Sequence, residues 1–138
     1  MKKMVLGALL AITFLILTGF ARAEQETSQK ALQANGVAPL TQSELETLMS
    51  RSRTARFAGK NNVTGTVTYA QEGTAKVGWN GGSDVGSWRI NGDKFCTKYK
   101  KIRNGFETCF TFYKTGENEY QLFFFPEGNW NATFVYTN

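Results

Sequence analysis

The chain has 138 residues, of which 16 are lysine or arginine and 11 are aspartate or glutamate, and its formal net charge is +5. It contains no histidine, which excludes Ser–His and Cys–His nucleophile pairs and every histidine-ligated metal site. This length suits one domain with a hydrophobic core of its own.

The first 23 residues have the three parts of a signal peptide. Lys2 and Lys3 form a positive n-region, residues 5–17 are almost wholly apolar, and residues 21–23 read Ala-Arg-Ala, an A-x-A cleavage site. We therefore predict a signal peptide over residues 1–23, a mature chain that starts at Glu24, and a periplasmic or secreted location. The alternative is an uncleaved transmembrane anchor, for which the apolar stretch is near the lower length limit.

Signal cleavage changes what the charge implies. It leaves 115 residues and removes three cations, Lys2, Lys3 and Arg22, but no acid, so the net charge falls from +5 to about +2. So small a charge gives no reason to expect nucleic-acid binding. Cys96 and Cys109 remain, and an even number of cysteines in an exported chain favours a disulfide over two free buried thiols.

A polar leader and one helix follow the signal. Residues 24–39 have little apolar periodicity and predict a flexible leader that ends at a proline. Thr41 and Glu44 then have the spacing of a capping box, flanked by Leu40 and Leu45 as a hydrophobic staple. The apolar face of the helix consists of Leu45, Leu48 and Met49.

Three arginines lie toward the predicted C-terminal end of this helix. They are Arg51, Arg53 and Arg56, at the end where cations suit the helix dipole, and Gly59 is the predicted stop. The arginines are either a basic patch for a partner or a solvated helix end, and we favour the second.

From residue 63 onward the apolar period changes from 3.6 to 2. This alternation predicts strands with one buried face, and turn residues separate them at hairpin spacing. No interval has room for a crossover helix, so the pairing is expected to be antiparallel. Seven segments show the pattern: Val63-Val67-Tyr69, Val77-Trp79, Trp88-Ile90, Phe95-Tyr99, Phe110-Phe112, Tyr120-Leu122-Phe124 and Trp130-Phe134-Tyr136.

The cysteines predict a strand register. If Cys96 lies opposite Cys109, four further pairs form that are favourable or neutral as cross-strand neighbours. The disulfide then lies on the polar face, and Phe95, Phe110 and Phe112 point to the core. A competing register, with Asn104-Gly105 as a two-residue turn, would break the bridge. The predicted pairs are Phe95–Phe110, Thr97–Thr108, Lys98–Glu107 and Tyr99–Phe106.

One polar loop is a candidate site. Asn80, Ser83 and Asp84 lie in a glycine-containing stretch between two tryptophan strands, and they could bind a ligand or cation through oxygen atoms. Alternatively, the serine and aspartate satisfy local amides, and we favour this interpretation. No second acid has the spacing of an acid/base pair, so we do not expect an enzyme, a metal or a cofactor.

The aromatic residues give a second candidate site. Most point to the predicted interior, either as a filled core or as the lining of an apolar cavity in a barrel mouth. Phe123 and Phe125 lie on the other face, buried or exposed as a contact patch. The candidate ligand-lining residues are Trp79, Trp88, Phe112 and Phe124.

A cluster of cations crowds the hairpin around the cysteines. It either attracts an anionic surface or is the solvated face of an edge hairpin, and we favour the second. The cluster consists of Lys94, Lys98, Lys100, Lys101 and Arg103.

A longer motif resembles a known family. Residues 86–96 contain G-x-W and then G-D-x-x-C, and Cys109 supplies a second cysteine before the strand that ends at Phe125. Over residues 40–136 the chain is similar to small exported bacterial proteins grouped as a domain of unknown function. The resemblance implies a signal peptide, a compact lipocalin-like β fold and export in proteobacteria. It implies no activity and no catalytic residues.

We therefore predict a mainly β fold over residues 40–138: one N-terminal helix, then an antiparallel meander of about seven strands closing into a small lipocalin-like barrel. The expected function is an exported, non-catalytic binding or interaction module of the bacterial envelope, which acts through loops or an exposed aromatic patch. Its partner would be an envelope or host protein. The alternative is a binder of a small apolar ligand in the aromatic interior. No transmembrane span is expected after signal cleavage.

Overall fold

The computed structural model describes residues 28–138. The predicted signal peptide, its cleavage site and residues 24–27 of the leader lie outside this part of the chain. Within it, eight antiparallel strands follow one another around a closed barrel, and the last pairs with the first. They are β1 (Arg53–Gly59), β2 (Thr64–Tyr69), β3 (Thr74–Trp79), β4 (Gly82–Asn91), β5 (Lys94–Tyr99), β6 (Thr108–Gly116), β7 (Glu119–Phe125) and β8 (Trp130–Tyr136).

The predicted mainly β fold and antiparallel barrel are confirmed, and the strand beyond the predicted seven is β1. The predicted helix stop at Gly59 is wrong, because Arg53–Gly59 pairs with both β2 and β8. Arg53 and Ala55 are buried positions of this strand. Alanine and arginine are good helix formers, but strand pairing on both sides overrides this intrinsic preference.

A short helix covers one end of the barrel. Helix α2 (Gln42–Leu48) begins with the predicted capping box: the Thr41 hydroxyl accepts from the Glu44 amide at 3.2 Å, and the Glu44 carboxylate accepts from the Thr41 amide at 3.2 Å. Leu45 is fully buried, and it joins Met49 in the same apolar cluster as the barrel interior. Since α2 leads into β1 at Arg53, it covers the end where β1 begins.

A second helix lies on the outside of the barrel. Helix α1 (Gln29–Ala34) falls within the segment predicted as a flexible leader. Its Leu32 packs against Tyr113, Phe123 and Trp130 on the outer face. The Tyr113 hydroxyl accepts hydrogen bonds from the side-chain amides of Gln29 and Gln33 at 3.0 and 3.3 Å. Phe123 is therefore buried from outside, and it is not part of an exposed patch.

The chain between the two helices pairs with β6. The Leu40 amide donates to the Phe112 carbonyl at 2.8 Å, and Pro39 lies opposite Tyr113 in an antiparallel bridge. β5 pairs with only the first three residues of β6. Pro39 and Leu40 thus occupy an edge of β6 that β5 leaves open, which satisfies part of its backbone.

The disulfide register is confirmed at its centre. Cys96 is bonded to Cys109 and lies opposite it, with Cα atoms 3.9 Å apart. The neighbouring pairs are Phe95–Phe110 and Thr97–Thr108, as predicted. Cys96 alternates with the inward positions 95 and 97, so the bridge lies outside the interior, although Cys96 is fully buried.

The two outer pairs of the predicted register do not form. The ladder ends at Thr97–Thr108; Tyr99 is buried, whereas Phe106 is 73 % exposed. Glu107 forms an ion pair with Arg89 at 2.6 Å rather than facing Lys98. The reason is the tight turn at Ile102–Gly105, which takes the chain out of the ladder.

One glycine permits close approach of two strands. A Cβ at Gly86 in β4 would lie 2.1 Å from the Lys98 carbonyl oxygen of β5, so Gly86→Ala forces a backbone shift. We expect this variant to lose about 1–3 kcal/mol of unfolding free energy, as overpacked sites do. Denaturant unfolding measures it, with Gly78→Ala in β3 as the control, because a Cβ there meets nothing within 4 Å. Equal stability of the two variants would contradict this account.

Candidate functional site

A cavity of about 380 Å³ occupies the end of the barrel away from α2. Of the eight strands, all but β4 contribute residues to its wall, and that wall is largely apolar. Gly59 and Lys60, at the opposite end of β1 from α2, lie at its rim. The barrel is therefore packed solid at one end and hollow at the other. Apolar lining residues include Phe57, Val67, Val77, Trp79, Phe110 and Phe124.

Some polar side chains also face the cavity. Thr97 and Tyr99 are successive inward positions of β5. The Thr97 hydroxyl is buried and has no hydrogen-bond partner within residues 28–138, although buried polar groups usually have one. Burial raises the pKa of Tyr99 to about 12, and burial also raises the pKa of Tyr69 beside it. Both phenols are therefore neutral and protonated near pH 7.

Arg103 is the most unusual residue of the wall. It lies in the Ile102–Gly105 turn with a left-handed φ of 53°, a conformation that is uncommon for a residue with a side chain. Its guanidinium carbon is 5.1 Å from the Phe110 ring centroid and 5.2 Å from that of Phe124. Burial lowers the pKa of Arg103, but a guanidinium stays charged in proteins. The fold thus holds a cation against two aromatic rings at the cavity.

Asp84 anchors the turn that carries this arginine. Its carboxylate accepts from the backbone amides of Lys101 and Ile102 at 2.8 and 2.9 Å, and from the Val85 amide at 2.8 Å. Desolvation raises the pKa of Asp84, but these amides together lower it below its usual value. The protein's own amides satisfy this carboxylate, but two of them belong to a distant turn rather than to the local stretch that the favoured interpretation names.

The three residues of the candidate loop site do not converge. Asp84 is a buried position of β4 and does not lie in a loop. Asn80 and Ser83 are exposed, and the Asn80 side chain donates to the Asn62 carbonyl at 3.0 Å. These residues therefore form no shared oxygen cage.

The four candidate ligand-lining aromatics divide between the two ends of the barrel. Trp79 and Phe124 line the cavity. Trp88 stacks on Phe95 with centroids 5.6 Å apart and donates to the Ala70 carbonyl at 2.7 Å. Phe112 is fully buried in the packed end. Alternation along a strand identified the inward face correctly, but it carries no information on depth along the barrel axis.

Sequence reasoning missed the polar part of the wall. The register that pairs the cysteines makes Thr97 and Tyr99 inward, so these two residues were within reach of prediction. The charge pattern groups Arg103 with the solvated lysines of its hairpin. Asn104-Gly105 signals a turn with left-handed residues, but nothing in the sequence signals that Arg103 adopts this conformation too and is directed to the cavity.

Outside the cavity, two exposed aromatic rings remain near the disulfide. Phe106 is 73 % and Phe125 48 % exposed. The Lys94 ammonium lies 4.3 Å from the Phe125 ring centroid and is paired with Asp93. Lys98, Lys100 and Lys101 are exposed. Of the described residues, Cys96, Cys109 and Glu107 alone cluster at metal-ligand spacing, and the disulfide leaves them no thiolate.

Comparison with known proteins adds no relative: no protein family, no curated protein and no solved structure matches the chain. The resemblance to exported proteins of unknown function therefore stays a prediction. In residues 28–138, no helix is long and apolar enough to cross a membrane. The disulfide is compatible with an extracellular or periplasmic protein.

Proposed function

We propose that the protein binds a small apolar molecule in the barrel cavity, and that it does so outside the cytoplasm as a non-catalytic carrier or sensor. The observation that carries the proposal is the apolar-walled cavity of about 380 Å³. This volume falls within the roughly 300–1,000 Å³ of ligand sites. Eight-stranded barrels are wide enough to hold one small ligand.

The composition of the wall supports binding rather than catalysis. Its described residues offer hydroxyls, one lysine and one arginine, but no carboxylate that could act as a general base. The nearby acid, Asp84, already accepts three backbone hydrogen bonds. A few polar groups in an apolar wall are typical of sites that orient a ligand.

The test is a matched pair of valine variants. Val77 lines the cavity, whereas Val85 on the adjacent strand points outward and is 42 % exposed. We expect Val77→Trp to fill the cavity and to weaken binding of the small neutral fluorophore 1-naphthylamine at least about tenfold, the effect of roughly 1.4 kcal/mol. Val85→Trp is expected to bind like the wild type.

Fluorescence titration gives both dissociation constants, and near-ultraviolet circular dichroism checks that both variants fold. If wild type and Val77→Trp bind the fluorophore equally, or if neither binds it, the cavity is not a ligand site.

A protein-interaction module is the second proposal, and it is favoured by Phe106 and Phe125. Both rings are exposed, and Phe125 lies opposite Cys109 of the disulfide. An envelope or host protein would cover them. Capture of a partner by the wild type but not by Phe106→Ser/Phe125→Ser would support this function. Equal capture would exclude the two rings as its surface.

A further inference from the structure

We propose that the ligand is a monoanionic amphiphile, an alkyl carboxylate whose head group pairs with Arg103 while its chain fills the apolar cavity. This inference rests on the proposed function and adds the chemical class of the ligand. It depends on the charge of the arginine, on the hydroxyls that line the same cavity, and on the size of the apolar space.

Arg103 carries a charge that the described residues do not neutralise. No carboxylate among them forms an ion pair with it, and no described acceptor receives a hydrogen bond from its guanidinium. Two aromatic rings lie close to the guanidinium carbon. Neither ring offers a carboxylate or carbonyl acceptor, so the N–H groups of Arg103 remain available to a ligand. A half-buried cation without an anion is costly, and a planar fork of donors matches a carboxylate in particular.

The neighbouring hydroxyls suit the same head group. The buried Thr97 hydroxyl has no partner in the described structure and faces the cavity that Arg103 lines. The hydroxyl of Tyr99 belongs to the same wall and stays protonated near pH 7. Each hydroxyl can donate one hydrogen bond to an anion. A ligand without an acceptor would leave the Thr97 hydroxyl unsatisfied.

The cation is held in place by the fold. The three residues Arg103, Asn104 and Gly105 all have left-handed φ values, of 53°, 55° and 76°. For the two that carry side chains, this conformation costs free energy and persists only where the surroundings impose it. Asp84 supplies that constraint through the amides of Lys101 and Ile102. A cation that only solvates the edge of a hairpin would need no such anchored backbone.

The volume sets the size of the apolar part. At roughly 30 Å³ for each group the size of a water molecule, a cavity of about 380 Å³ holds about a dozen non-hydrogen atoms. A saturated chain of about ten carbons with its carboxylate matches this count. The wall around that chain consists mainly of aromatic and branched aliphatic side chains.

The experiment compares decanoate with decanol by isothermal titration calorimetry at pH 8, using protein with its disulfide intact. We expect the wild type to bind decanoate about 10- to 100-fold more tightly, the effect of one or two charge-assisted hydrogen bonds. Arg103→Met should remove this preference and leave decanol binding within about twofold. Arg103→Lys should retain part of it, because it keeps the charge but not the planar fork.

Lys98→Met is the matched control, since it removes one exposed cation of the same hairpin that points away from the cavity. It should keep the full preference, and thermal unfolding establishes that each variant is folded. Decanol binding with no preference for decanoate would overturn the head-group assignment and leave the cavity function standing. If Lys98→Met and Arg103→Met lose the preference equally, the preference comes from the net charge of the protein, and the assignment of the head group to Arg103 is wrong. Failure of both ligands to bind the wild type would overturn both proposals.

Discussion

Replacing Phe112 with alanine is expected to lower the unfolding free energy by about 3–5 kcal/mol, the range for truncating a buried phenylalanine. Phe112 is fully buried in the packed end of the barrel. Its ring lies 5.2 Å from that of Phe95, 6.2 Å from Tyr120 and 6.3 Å from Phe134, between centroids. Rings from three other strands therefore surround it, and they cannot all move inward to close the space that alanine leaves.

Chemical denaturation monitored by tryptophan fluorescence measures this loss. Phe106→Ala is the control, because the same truncation at a 73 % exposed side chain should change the unfolding free energy by no more than about 0.5 kcal/mol. Similar losses in the two variants would mean that the packed end does not stabilise the barrel as described.

Removing the disulfide is expected to cost about 3 kcal/mol of unfolding free energy. The cysteines are 13 residues apart and join β5 to β6. Without the bridge the unfolded chain gains the freedom of that loop. The bridge also joins the two strands whose ladder is only three pairs long. Cys96→Ala/Cys109→Ala is the suitable variant, since a serine hydroxyl at fully buried Cys96 would add a desolvation cost of its own.

The control for this experiment is a reductant. Excess dithiothreitol should bring the unfolding midpoint of the wild type down to that of the double alanine variant, and it should leave the variant unchanged. A midpoint that does not move in the wild type, although thiol titration shows complete reduction, would contradict the expected stabilisation.

Most of the barrel could be predicted because its strands alternate. Most inward positions between Val67 and Tyr136 are apolar or aromatic, and this alternation defines the buried face. The cysteine pair adds the register of one hairpin. β1 escaped prediction because Arg53–Gly59 combines good helix formers with a glycine. Its place in the barrel is decided by pairing with β8, at the other end of the chain.

The helix α1 and the cavity show the same limit. Leu32 is one of few apolar residues in a polar segment. Its position is decided by the apolar outer surface at Phe123 and Trp130, against which it packs. Which inward aromatics line a hollow and which are packed depends on the stagger of all the strands around the barrel. Trp79 and Trp88 have the same inward position in the alternating pattern, but of these two only Trp79 lines the cavity. The pattern does not report where along the barrel axis a residue lies.

The pairing of β8 with β1 has a consequence for a chain that is made from its N-terminus. β8 supplies the second neighbour of β1, so a nascent chain keeps two bare strand edges, at β1 and at the newest strand, until β8 has been made. Bare edges invite pairing with other chains. Truncation just before β8 would therefore favour self-association over a smaller monomer.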